Sequence, residues 1–134
     1  SPYIRCMQSI EPYVKLYDVV PNIEYGFSET SLILIQSEIE VELDDYKYNT
    51  EYKSIVDVKT LNNTNYILKN TVNRVGDLLI KILKESENED QNILICTHMT
   101  IVNIILFLFD KISYKDVIAD INQPYGELIE IDVE

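Results

Sequence analysis

The sequence predicts an α/β fold: three layers, α/β/α, on a mostly parallel sheet. Three observations lead there. Residues 65–85 carry a single apolar helical stripe: Ile67, Leu68, Thr71, Val72, Val75, Leu78, Leu79, Ile82 and Leu83. Residues 92–97 hold the wholly apolar run Ile93-Leu94-Ile95-Cys96, the pattern of a strand covered on both faces. A nearly all-apolar helix follows at about 100–112, then an alternating segment, Gly126–Val133, that reads as a final strand. Helix, buried strand, helix, strand is βα alternation.

The elements before these follow in order. Tyr3, Cys6, Met7, Ile10, Val14 and Tyr17 fall at helical spacing over residues 3–18, with Pro2 where a first turn tolerates it. Pro12 inside that pattern predicts a kink or an end near Glu11. Pro21 marks a break, and Asn22–Gly26 is a short extended piece with Gly26 as turn punctuation. Leu32–Ile35 fits a strand or a buried helical turn, whereas the alternation of Ile39, Val41 and Leu43 favours extended structure. Residues 44–65, rich in Asp, Asn, Tyr and Lys, read as a long irregular loop. Residues 116–121 read as a short helix.

A chain of 134 residues with 46% hydrophobic content forms one domain with a core of its own. The net charge of −12 sets it against nucleic-acid backbones and anionic membrane surfaces. No apolar run approaches the roughly 20 residues of a bilayer span. No signal peptide is visible, so the cytoplasm is the expected compartment. The triplet Asn62-Asn63-Thr64 matches a glycosylation sequon and carries little weight alone. Cys6 and Cys96 sit in apolar surroundings and read as reduced core cysteines. With one histidine and no CxxC spacing, neither a metal nor another cofactor is expected.

Two residues carry most of the chemistry. His98 directly follows the apolar run and precedes a helix. Ligands of open α/β sheets bind at such strand ends, and a helix amino terminus favours an anion. The competing reading is a histidine that caps the helix or packs in the core. Arg5 is one of only two arginines, the other being Arg74. A guanidinium makes bidentate bonds to phosphate, although, without further context, an ordinary surface role on its helix is the simpler reading of Arg5. Lys69 and Arg74, on the 65–85 helix, are within reach of a phosphate but read more simply as solvated helix charges.

The segment Ser1-Pro2-x-x-Arg5-Cys6-x-Gln8-Ser9 resembles the SPxxRCxQT segment of the histidine phosphatase (phosphoglycerate mutase-like) superfamily. Ile93-Leu94-Ile95-Cys96-Thr97-His98 resembles that family's late strand and second histidine, and is similar in flavour to the eukaryotic phosphatases that regulate T-cell receptor signalling. Between the two segments only the layout matches. The resemblance implies a phosphoglycerate mutase-like domain lacking its first strand. It implies that Arg5 contacts the phosphoryl group and that His98 is the second histidine of the phosphate site. It also places the general acid at Glu29, at the end of Glu24-Tyr25-Gly26-Phe27-Ser28-Glu29, with Glu24 as the alternative. That acid protonates the leaving alkoxide and then activates water. Thr97 would cap the following helix or donate to phosphate.

Two departures stand out. The family's Arg-His-Gly, which supplies the phosphohistidine-forming nucleophile, does not occur in these 134 residues. Its absence and the start at Ser1 lead to the expectation of an amino-terminally truncated domain. Met99 stands where the family has glycine after the second histidine.

The expected function is therefore the carboxy-terminal part of a phosphatase, a hydrolase, with an isomerase (mutase) as second choice. The expected partner is a small phosphorylated substrate or a phosphoprotein, and a homodimer is left open. A catalytically inactive relative that binds phospho-ligands or a protein is the alternative. An unrelated interaction domain, using helix 100–112 and the ten tyrosines as its surface, is the third reading.

Overall fold

A computed structural model describes residues 1–29, 46–52, 64–89, 91–117 and 126–133. The expectations for Leu32–Ile35 and Ile39–Leu43, most of the 44–65 loop, the sequon asparagines and residues 118–121 lie outside the described residues.

Helices and a small two-stranded parallel sheet make this a mixed α/β fold. Helix α1 spans Ile4–Tyr17. Tyr3 begins it through its carbonyl, which accepts from the Cys6 and Met7 amides at 3.0 and 3.2 Å. The expected break at Pro12 does not occur. A proline deprives the carbonyl four residues earlier, that of Gln8, of its donor, and both residues lie on the exposed face of the helix, where solvent can supply one. The apolar stripe also stops short of its expected end. Cys6 and Met7 are buried, but Tyr17 is 60% exposed. The helix closes at Asp18 in the left-handed region (φ 50°, ψ 47°), with the Val19 amide bonding Val14 O at 3.3 Å.

Strand β1, Asn22–Glu24, pairs in parallel with β2, Lys47–Asn49, in the register Ile23 opposite Tyr48. Part of the expected 44–65 loop is therefore a strand. A one-turn 3₁₀ helix, Tyr25–Phe27, follows β1 directly. It packs so tightly on the next helix that a Cβ on Gly26 would stand 2.5 Å from a Leu78 methyl.

Helix α2, Thr64–Glu85, forms as its stripe predicts. Leu68, Val75, Leu78 and Leu79 meet Ile101, Ile104 and Ile105 of helix α3, Met99–Leu108, with Phe27 and Val117, in the main core. Each such side chain contributes about 1.5–3 kcal/mol on burial. Helix α3 ends four residues before its expected end at Ile112. Asp110 turns left-handed (φ 57°), and the Lys111 amide closes onto Leu106 O at 2.8 Å. Within α3 the fully buried Asn103 donates from Nδ2 to Val117 O at 3.1 Å, tying down the 3₁₀ turn Tyr114–Asp116.

Two expected strands differ from the sequence reading. Residues 91–98 run between α2 and α3 with no strand pairing among the described residues, and Ile93 and Leu94 are 43% and 42% exposed. Of the apolar run, Ile95 and Cys96 pack inward, on the main core and on a smaller cluster of Tyr3, Cys6 and Tyr25. Residues 126–133 likewise pair with nothing among the described residues. Ile131 packs on the core, while Leu128 is 76% exposed. An apolar run shows that a segment favours burial, but not which neighbour buries it. No helix among the described residues is long and apolar enough to cross a membrane.

Candidate active site

The start of α1, the loop before α3 and the turn after β1 meet at His98. The imidazole is 6% exposed and heads α3 as its cap residue. An Arg5 Nη2 lies 3.1 Å from His98 Nδ1. A guanidinium only donates, so Nδ1 is the acceptor and the ring proton sits on Nε2. That N–H is 2.8 Å from Ser1 Oγ, to which it donates, and 3.7 Å from Cys6 Sγ. The tautomer is thus fixed by its neighbours. Tyr3 supplies a platform for both groups. Its ring meets His98 edge-on at 4.6 Å, and the Arg5 guanidinium lies 5.1 Å from the ring centroid.

Glu29 approaches the same nitrogen as Arg5, with Oε2 3.9 Å from His98 Nδ1. It is 6% exposed. Glu24, the alternative acid, faces Asn49 of β2, and its partial burial raises its pKa. The turn carrying Glu29 is held from two sides. Thr97 donates from Oγ1 to Phe27 O at 2.6 Å, and Arg74 of α2 donates from Nη2 to Ser28 O at 2.8 Å. Thr97 therefore places Glu29, and no side chain caps α3.

No family model, curated protein or solved structure matches the chain.

Arg74 corrects the sequence reading most sharply. It is not a solvated charge: it is 6% exposed. Burial lowers its pKa to about 10, and the attraction of Glu29 opposes that shift. It stays cationic at neutral pH, so the turn at Ser28 and Glu29 faces a fixed positive charge. The signal was present in the sequence, since Arg74 lies three residues after Thr71 and four before Leu78 on the apolar stripe. Lys69, by contrast, is exposed as expected.

Cys6 was also undervalued. Its pKa is pushed down to about 4, first by a hydrogen bond from the Cys96 thiol and then, against the opposing effect of burial, by His98. Cys96 is shifted the opposite way by the same bond, so it keeps its proton. The Cys96 thiol also donates to Cys6 O at 3.5 Å. Among the described residues no group of three or more His, Cys, Asp or Glu is arranged to hold a metal.

Chemically, the site offers one fixed cation open to solvent at Arg5, an imidazole whose Nδ1 lone pair faces it, and a carboxyl group 3.9 Å from the same nitrogen. An oxyanion entering beside Arg5 would take up its donors. Nδ1 would then be able to accept a proton and turn it towards the anion or towards Glu29.

Proposed function

We propose that this chain is the carboxy-terminal part of a phosphoglycerate mutase-like phosphatase domain. It has the family's three-layer architecture and acts on phosphate monoesters, small or protein-borne, in the cytoplasm. The observation that carries the reading is the convergence at 3.1 Å of Arg5 and His98, 93 residues apart in the sequence, with Glu29 beside them. Arg5 takes two phosphoryl oxygens in its fork. His98, relieved of Arg5, takes a proton on Nδ1 and binds a third. Glu29 protonates the leaving alkoxide and later activates water. The phosphohistidine route needs a second imidazole as nucleophile, and these 134 residues contain only His98.

That single histidine, with Met99 beside it, also favours a second reading, in which the same groups bind a phospho-ligand without turning it over. Phosphate-ligand titration by NMR tests what the two readings share. Inorganic phosphate or vanadate should perturb His98, and Arg5→Ala should weaken binding by about tenfold to a hundredfold, the worth of charge-assisted hydrogen bonds. Binding unchanged by Arg5→Ala would sink both. Release of phosphate from an aryl phosphate by the native polypeptide separates them: turnover supports the phosphatase, and binding without turnover the binding module.

A further inference from the structure

Two cysteines take no part in the chemistry proposed for Arg5, His98 and Glu29. They are the only cysteines in the chain, neither is in a disulfide, and each comes from a different wall of the candidate site. Cys6 lies on α1 directly after Arg5, and Cys96 lies two residues before His98.

We propose that Cys6 and Cys96 form a hydroperoxide-sensitive dithiol that closes to a disulfide beside His98. The geometry carries this. The Cys96 sulfur reaches across to residue 6, where its thiol donates to the Cys6 carbonyl at 3.5 Å. A disulfide needs the two sulfurs about 2.05 Å apart and suitably aimed Cβ atoms, and the Cys96 sulfur already reaches the backbone of residue 6. The Cys6 sulfur lies 3.7 Å from His98 Nε2, whose N–H favours an anion there. Cys6 is buried but borders the exposed Arg5, and Cys96 is half-exposed. A water-sized oxidant is the class that fits such a site.

The steps balance with hydrogen peroxide as oxidant. The Cys6 thiolate attacks one peroxide oxygen, an S–O bond forms, the O–O bond breaks, and hydroxide leaves to take a proton from solvent. The Cys96 sulfur then attacks the Cys6 sulfenic acid. An S–S bond forms, the S–O bond breaks, and the departing hydroxide leaves as water with the Cys96 proton. Two thiols lose two electrons in all, and the peroxide gains them. A thiol reductant reverses the bond by exchange.

The consequence for ligands rests on the phosphoryl-site reading. Closing the bridge removes the anionic sulfur from His98 and pins the first turn of α1, which carries Arg5. Oxidation should therefore change phosphate affinity.

The test treats the reduced protein with a small excess of hydrogen peroxide, alkylates the remaining thiols and weighs the product. Wild type should lose two hydrogens, take up no alkyl group and yield a linked peptide pair containing Cys6 and Cys96. Cys96→Ser should leave a sulfenic acid on Cys6 that dimedone traps. Cys6→Ser should leave Cys96 oxidised more than about tenfold more slowly, since a protonated thiol is a poor nucleophile. Wild type that still takes up two alkyl groups after peroxide would overturn the dithiol, whatever the serine variants do. Phosphate titration of both redox forms then separates the two ideas. Binding to neither form, with the disulfide made, sustains the dithiol and removes the phosphoryl reading. Equal binding to both sustains that reading and overturns the coupling.

Discussion

The hydroxyl of Thr97 donates to the carbonyl oxygen of Phe27 at 2.6 Å, joining the loop before α3 to the turn after β1. The residue next to Thr97 is His98, and two residues after Phe27 is Glu29. This bond, together with that of Arg74 to Ser28 O, holds the carboxyl group beside the imidazole. Thr97→Val keeps the shape and leaves that carbonyl without its donor, so it should cost about 1–2 kcal/mol in urea unfolding. Thr97→Ser should recover most of it. Equal midpoints for Val and wild type would show that the bond adds nothing.

Arg74 should behave as a buried ion rather than a surface charge. Arg74→Met removes a buried cation that attracts Glu29 and leaves Ser28 O without the Arg74 donor, and should cost about 1–3 kcal/mol. Adding Glu29→Gln to Arg74→Met should cost less than the two changes summed, because the groups interact. Additive costs in a double-mutant cycle would deny the coupling.

The chain's two helix-contacting glycines should respond in opposite directions. At Gly76, inside α2, an added Cβ meets only Leu108 methyls at 3.8 and 3.9 Å, an ordinary contact. Gly76→Ala should stabilise by about 0.5–1 kcal/mol through helix propensity. At Gly26 the added Cβ meets Leu78 at 2.5 Å, so Gly26→Ala should destabilise by about 1–3 kcal/mol through overpacking. Thermal melts of the two variants suffice to check the signs.

The cysteine pair gives a pH dependence with a definite sign. The Cys6 pKa is lowered in the folded state to about 4. Its ionisation therefore favours the fold fully above the unfolded thiol pKa of about 8.5, and that gain disappears as pH falls through the folded value. Cys96, shifted upward, works against stability once pH exceeds the unfolded pKa. Under reducing conditions, wild type should thus gain stability relative to Cys6→Ser as pH rises from 5 to 8, by up to about 1.4 kcal/mol per unit. Parallel pH profiles for the two proteins would refute this.

Some of this was written plainly in the chain. The α2 stripe predicted its helix to within a residue at each end, because helical periodicity over many residues is a strong signal. The α3 run was recognised, but its end was misplaced. Asp110 takes the left-handed cap position where glycine is the usual marker, and Asp18 does the same for α1. Pro12 misled for a related reason: the cost of a helical proline depends on whether its orphaned carbonyl meets water, which only the fold decides.

Local order, the separate helices and the candidate identities of Arg5, His98 and Glu29 were legible from residue type and spacing alone. Their meeting was not. Cys6 beside Cys96, Arg5 on the lone pair of His98, and Arg74 drawn inward to the turn at Ser28 are contacts between distant segments. Periodicity reports which face of an element turns inward, whereas tertiary packing chooses what it meets there. That choice sets the sulfur chemistry and the histidine tautomer, because both depend on the group across the gap rather than on the neighbour along the chain.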